Sequence, residues 1–361
     1  MHNIVVIGAG VVGLTNALEI KRAFPGVSVT IVAKNLPGDL TTEYTSPFAG
    51  ANWESFASNE DKDLQEMDAI GYHRLIELSD EPAAGIWRKE NFIYFDETKL
   101  KENDSDILKL RPWFKSVVSN YRELDASELP EGAAWGYSYG GLVISVQIYL
   151  QYLVGQCLRE GIVIRRTKEL KSVQEARKLH SSGQDAHTVI NCAGILVSRL
   201  GGFKDPNKLY PVLGQVLLTR NSLENIEIFE LSDPDYPDEI PYIFPRKEGG
   251  SIIGGCFRKN IGPGPVVEDK ELTKRLIQRA TKLVPQLTDT SYKNNPGHID
   301  IVRVAVGLRP FREDGIRIEQ DSEHEWLIHS YGAGAGGYQG SYGFSHKVVQ
   351  LLATRINNSK L

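Results

Sequence analysis

Asn3-Ile4-Val5-Val6-Ile7-Gly8-Ala9-Gly10-Val11-Val12-Gly13 is the stretch on which the fold turns. Asn3 to Ile7 is a short, mostly β-branched apolar run, the signature of a strand buried on both faces in a parallel sheet. Gly8-x-Gly10-x-x-Gly13 comes at once after it, and Leu14 to Ala23 reads as a helix through Leu14, Ala17, Leu18 and Ile20. Val27 to Ala33 is a second strand, so the chain opens with a β-α-β unit. The spacing suits a dinucleotide. One glycine makes a tight turn, one lets the backbone approach a pyrophosphate, and one lets helix and strand pack closely. The helix N-terminus then offers free N–H groups and a positive dipole. The flanking strand, helix and second strand are what separate this motif from a chance glycine turn.

The acidic residue expected about 20 positions on should fall near Ala33-Lys34. No Asp or Glu occurs between Gly13 and Asp39 except Glu19, inside the helix. Either backbone groups and a nearby side chain hold the ribose, or Lys34 receives a 2′-phosphate; a solvated Lys34 is the preferred reading.

Further along, Asp63–Leu78 and Ile148–Arg159 read as amphipathic helices, Ile162–Ile164 as a strand and Thr188–Gly194 as a strand running into a small-residue turn. Pro211 to Phe257 is a run of strands, Leu272–Leu283 a helix stopped by Pro285, and Val302–Val306 and Trp326–His329 are strands. Val348–Ile356 is the last helix, and Glu313 to Glu325 reads as a connection. The 361 residues suggest about two domains. The α/β pattern at the start, middle and end surrounds β-rich stretches, so the two interleave. With 41 Lys+Arg against 46 Asp+Glu, the net charge of −5 argues against a nucleic-acid-binding protein. No apolar run reaches the ~18 residues of a membrane span. Cys157, Cys192 and Cys256 are far apart, which fits a reducing compartment. The eight His show no metal spacing, and neither a G-x-S-x-G elbow nor a P-loop occurs. The expected metal complement is none.

Glycine supplies 34 residues, and six of them (Gly332, Gly334, Gly336, Gly337, Gly340 and Gly343) lie within twelve positions. Such a loop brings backbone against a flat ring, which suits the second end of a long cofactor. Arg309, after the strand Val302–Val306, has the fork geometry that clamps a carboxylate, and Tyr242 is a candidate second donor. A surface salt bridge and a core tyrosine are the competing readings.

These residues carry a resemblance. Val5–Gly13, Pro37-Gly38-Asp39, Tyr44–Trp53, Tyr210–Gln215, Tyr242–Arg246, Gly254–Phe257, Gly307–Pro310 and Ile328–Gly343 together resemble the D-amino-acid oxidases, particularly the fungal peroxisomal branch, over essentially the whole length. The resemblance implies an α/β fold. In it a Rossmann-like FAD-binding domain (residues 1–55, 141–200 and 303–361) interleaves with a β-rich α+β substrate-binding domain (56–140 and 201–302). It implies noncovalent FAD, a small-molecule D-amino acid and O2 as substrates, H2O2 as product, no nucleic-acid or membrane partner, and a homodimer.

Residue by residue, Arg309 would clamp the substrate carboxylate, with Tyr242 as its hydrogen-bonding partner. The backbone carbonyl of Ala335 would accept from the substrate amine, with Gln339 beside it. Phe56, Phe257 and Arg246 would form the side-chain pocket, Phe56 tilting it toward neutral or apolar side chains. Gly8, Ala9, Gly10, Val11, Val12, Gly13, Ala33 and Lys34 would hold one half of FAD, with Leu170, Ala193 and Gly194 nearby. Thr45, Ser46, Gly50, Ala51, Asn52, Gly334, Gly336, Gly337, Tyr338 and Gln339 would contact the flavin side. Ser330 and Ser345 depart from the family pattern beside the glycine loop. D-aspartate oxidase is the close rival, for which Arg246 is the candidate second cation. A nicotinamide-dependent dehydrogenase and a non-catalytic dinucleotide-binding protein are more distant. Ser359-Lys360-Leu361 matches a peroxisomal import address, so an import receptor and the peroxisome matrix are expected.

Overall fold

The computed structural model describes residues 2–103, 107–259, 261, 266–288 and 298–358, so Ser359-Lys360-Leu361 lies outside it. In chain order the strands are β1 (Asn3–Ile7), β2 (Ser28–Ala33), β3 (Ile86–Phe95), β4 (Ser119–Glu123), β5 (Trp135–Ile144), β6 (Val163–Arg166) and β7 (Thr188–Asn191). After them come β8 (Leu209–Thr219), β9 (Ile226–Glu230), β10 (Glu239–Pro245), β11 (Ser251–Cys256), β12 (Ile301–Arg312), β13 (Arg317–Gln320) and β14 (Leu327–Tyr331). They form a six-stranded sheet ordered β13-β14-β7-β1-β2-β6 and an eight-stranded sheet ordered β12-β8-β11-β10-β9-β3-β5-β4. The mixed α/β architecture expected from the sequence is what these two sheets build.

Five strands of the first sheet run parallel, and β13 adds an antiparallel edge where the sequence suggested a plain connection. β1 sits between β2 and β7, and every one of its residues is buried. The helix Val11–Ala23 packs between this sheet and the helix Ser341–Asn358. That last helix starts seven residues before the expected Val348, because Ser341, Gly343 and Phe344 already lie in its first turn. Gly343 is needed there, since a Cβ would collide with the backbone of Met67 on the helix Lys62–Leu78.

The eight-stranded sheet runs through two of the expected domain boundaries. β5 pairs with β3 in an unbroken register from Trp135 to Ile144, and β12 pairs with β8 from Ile301 to Arg312. Cuts at 140/141 and 302/303 would sever both ladders, so these strands belong whole to the second sheet. One face of that sheet carries Tyr137, Ile93, Ile228 and Tyr242 in a row across four strands, looking toward the first sheet. The other face (Leu217, Phe229, Ile243, Ile253) is covered by the amphipathic helix Lys270–Leu283 through Leu272, Leu276 and Ala280. All three cysteines are free and buried. Among the described residues no helix is long and apolar enough to cross a membrane, and no His, Cys, Asp and Glu side chains gather as a metal site.

Candidate active site

One elongated cavity runs from the parallel sheet to the second sheet. Its first end is built from the segments just beyond the carboxyl ends of the parallel strands, where ligands of open α/β sheets bind. Gly8, Ala9, Gly10, Val11, Val12 and Gly13 come after β1, and Ala33 and Lys34 close β2. Leu170 comes after β6, Ala193 and Gly194 after β7, and Gly334, Ala335, Gly337, Tyr338 and Gln339 after β14. Gly8 sits at φ +102°, and a Cβ there would strike the Cys192 carbonyl; a Cβ on Gly13 would strike the carbonyl of Gly8. The helix Val11–Ala23 has no acidic residue in its first turn, so its N-terminus is free to receive an anion. Ser46 Oγ takes the Val11 amide at 3.1 Å, Tyr44 donates to the Ala9 carbonyl at 2.7 Å, and Tyr338 donates to the Ser46 carbonyl at 2.8 Å. These bonds tie the first glycine loop to residues 44–46 and to the second loop.

Lys34 is not simply solvated. Its ammonium lies 3.0 Å from Glu43 and 2.8 Å from Glu169, both of which line the cavity. The carboxylates missing from the end of β2 are thus supplied from more distant segments. Arg199 lies 2.7 Å from each of the same two acids, and this partner first, then Lys34, holds Glu43 below its usual range.

The second end is made of side chains. Thr45, Ser46, Gly50, Ala51 and Asn52 lead to it along the cavity wall. Arg309 Nη1 donates to the Cys256 carbonyl at 2.8 Å, and the guanidinium stacks 4.2 Å from the Phe257 ring. Among the described residues Arg309 has no carboxylate partner. Tyr242 lies beside it, its hydroxyl pushed up by burial and pulled back by the Arg309 charge. Glycines make the room: a Cβ on Gly214 would overlap Arg309, and one on Gly254 would overlap the Tyr242 ring. Phe56 stands 58 % exposed at the rim. No donor among the described residues engages the Ala335 carbonyl.

Two expected residues lie elsewhere. Arg246 does not line the cavity. It is 3 % exposed, and its donors are spent on the carbonyls of Gly50 and Ile144 and on Glu248. A buried guanidinium must satisfy its N–H groups, and these backbone acceptors take it away from any substrate. Gly336 also falls outside the lining: its amide turns to the Ala333 carbonyl at 2.8 Å, closing a turn.

Besides Glu43 and Glu169, the sequence reading missed three further acids. Asp68, from the helix Lys62–Leu78, accepts from Ser55 Oγ at 2.7 Å and from Gln339 Nε2 at 3.3 Å, which fixes the Gln339 amide. Burial raises it to about 6, against these hydrogen bonds. Glu54 and Glu230 line the second end directly. Glu54 adjoins the Tyr44–Trp53 stretch; for Glu230 and Asp68 no local signal exists, because only the tertiary fold brings them in.

The sites fit FAD on the structure's own terms: a glycine cradle at a helix N-terminus with no acidic residue in its first turn, and a glycine-lined second loop on the same cavity. The comparisons agree. The chain is 33 % identical to a D-amino-acid oxidase of Fusarium vanettenii, over 97 % of this chain and 96 % of that one. It is 28 % identical to a D-aspartate oxidase of Talaromyces thermophilus, over 97 % and 94 %. Its fold matches glycine oxidase from Geobacillus kaustophilus with a TM-score of 0.75 at 18 % identity, covering 98 % and 95 %. The family described as FAD dependent oxidoreductase matches residues 3–351, and the chain belongs to it.

Proposed function

We propose that the protein is a D-amino-acid oxidase: it converts D-amino acids to 2-oxo acids and ammonia, with H2O2 formed from O2. The observation that carries this reading is Arg309, a cation without a counter-ion among the described residues, beside Tyr242 and in the same cavity as the Gly8–Gly13 loop. Relatives at this identity bear that name.

The chemistry that noncovalently bound FAD supplies is acceptance of a hydride from the substrate Cα and delivery of both electrons to O2. The chain's part is positioning. Arg309 and the Tyr242 hydroxyl hold the α-carboxylate, a bidentate, charge-assisted arrangement. The Ala335 carbonyl accepts from the α-amine. Fixing both groups leaves the Cα–H one direction, and such orientation is worth up to about 7–11 kcal/mol of barrier. Phe257 and the buried Tyr242 face exclude water from the same space. Lys34, Glu43 and Glu169 would hold the ribose end, and the helix N-terminus the pyrophosphate.

The D-aspartate oxidase reading loses its second cation, since Arg246 is consumed elsewhere. A visible absorbance spectrum with a peroxide assay on D-alanine, D-methionine and D-aspartate tests the function. A flavin band with peroxide from a D-amino acid is expected; nicotinamide dependence or binding without turnover overturns the reading. Peroxisomal location through Ser359-Lys360-Leu361 is supported by the tripeptide and by the peroxide product; imaging with and without it checks this. Homodimerisation is supported only by the family resemblance, and sedimentation checks it.

A further inference from the structure

The substrate end of the cavity has an acidic wall that the proposed reaction does not use. Glu54 and Glu230 line it with Phe56, Tyr242, Phe257 and Arg309. They arrive from different elements. Glu230 ends β9, two residues past Ile228, and Ile228 lies opposite Tyr242 in the ladder. Strand alternation therefore puts Glu230 on the same face as Tyr242. Glu54 comes after Trp53, whose amide donates to the Leu142 carbonyl of β5 at 3.2 Å, so it enters from the other side of β3.

Neither carboxyl has an ion-pair partner within salt-bridge distance among the described residues. The groups facing Glu54 are Glu230, the Asn52 amide and the hydroxyls of Tyr137 and Tyr139 on β5. Those facing Glu230 are Glu54, the Tyr137 hydroxyl, and Lys99, Asp96 and Glu102. Burial first, and the Glu230 charge second, push Glu54 up to about 8; burial raises Glu230 as well. Burial penalises the charged form of both carboxyls, the Glu230 charge adds to the penalty on Glu54, and a cation placed between them relieves both. The rest of the cavity separates charge in a complementary way: Arg309 offers the positive group for an α-carboxylate, while this wall offers the negative one.

Resting on the oxidase reading above, we propose that Glu54 and Glu230 form a receptor for a positively charged side chain, so that basic D-amino acids (D-lysine, D-ornithine, D-arginine) are preferred over neutral and acidic ones. This departs from the neutral or apolar preference expected from Phe56. The exposed Phe56 ring then packs on the methylene stem, which long cationic side chains also offer. An acidic side chain would meet two carboxyls and be rejected. The receptor has a proton signature. Raised to about 8, Glu54 is largely neutral near pH 7 before a cation binds, so a bound ammonium expels its proton. Affinity for the cation rises from pH 6 to about 8.5, where a lysine-type amine (pKa about 10.4) stays charged.

The test compares D-lysine with D-norleucine, the same side chain without the ammonium, on the FAD-loaded enzyme. In the wild type kcat/KM for D-lysine should exceed that for D-norleucine by tenfold or more. In Glu54→Gln/Glu230→Gln, nearly isosteric and scored for folding by retained flavin, that ratio should fall at least tenfold. Calorimetry gives a readout free of turnover: 6-aminohexanoate should bind at least tenfold tighter than hexanoate. It should release a proton on binding, and the double variant should lose both the preference and the release. D-norleucine oxidised faster than D-lysine, or both substrates slowed alike by the double variant, overturns the receptor while leaving the oxidase reading intact. Equal affinity for the two hexanoates does the same. No turnover of any D-amino acid takes both down.

Discussion

The two ends of the cavity are built by opposite means. At the nucleotide end the recognition surface is backbone: glycines, a helix N-terminus and the strand ends of a parallel sheet. At the substrate end it is side chains, with Arg309, Tyr242, Glu230 and Glu54 drawn from β12, β10, β9 and the segment before the helix Lys62–Leu78. A backbone surface tolerates no added atom, because its shape is the chain itself. A side-chain surface keeps its shape when one group is swapped, and changes chemistry instead. Damage at the first end should therefore abolish cofactor binding, and damage at the second should change turnover with the cofactor in place.

The sharpest way to break this contrast is Gly8→Val. The residue sits at φ +102° with the Cys192 carbonyl where a Cβ would go, so strain and collision add. FAD affinity should drop by at least about 100-fold, read by flavin retained on a desalted, folded protein. Wild-type flavin content would refute the cradle. Arg309→Ala probes the other end. Losing the carboxylate's partner costs about 3–5 kcal/mol, roughly 10²–10⁴-fold in kcat/KM on any D-amino acid. Flavin content should stay unchanged. Retained turnover, or lost flavin, would dissolve the distinction between the ends.

Asp68→Asn gives the smallest effect and concerns the junction. Asp68 titrates near 6 in the folded chain against an ordinary 3.8. Between those values the folded chain keeps a proton that the unfolded chain has lost. Wild-type stability therefore falls as pH rises from about 4 to 6, by up to ~3 kcal/mol. The asparagine variant should lack that slope while still accepting from Ser55. Parallel Tm–pH curves for the two proteins would show that Asp68 is not held in this state.

The first end was legible because its signal is local. Asn3 to Ile7 and Gly8 to Gly13 carry strand, turn and helix in one run, and β1, β2, β7 and β14 fall where hydrophobic runs placed them. β3 and β5 were not legible. β3 mixes Arg88, Lys89 and Glu90 with apolar residues, and β5 carries three glycines in Trp135–Ile144, so neither shows a clean two-residue alternation. Their pairing is long-range, and without it the row Tyr137–Ile93–Ile228–Tyr242 does not exist. Arg246 shows the converse limit. Its residue type suits a substrate cation, yet two backbone carbonyls claim it first.

By itself the sequence determined the β-α-β opening and the two glycine loops, and it offered Arg309 as a carboxylate clamp beside a surface salt bridge, since residue type and short-range spacing reach no further. Tertiary structure alone decided that Lys34 is shared by Glu43 and Glu169, that Asp68 fixes Gln339, and that two carboxyls share one cavity with Arg309. The physical reason is distance along the chain. Electrostatic environment depends on which segments meet, and the eight-stranded sheet joins residues 86–95, 135–144, 209–219 and 301–312 that no local pattern connects.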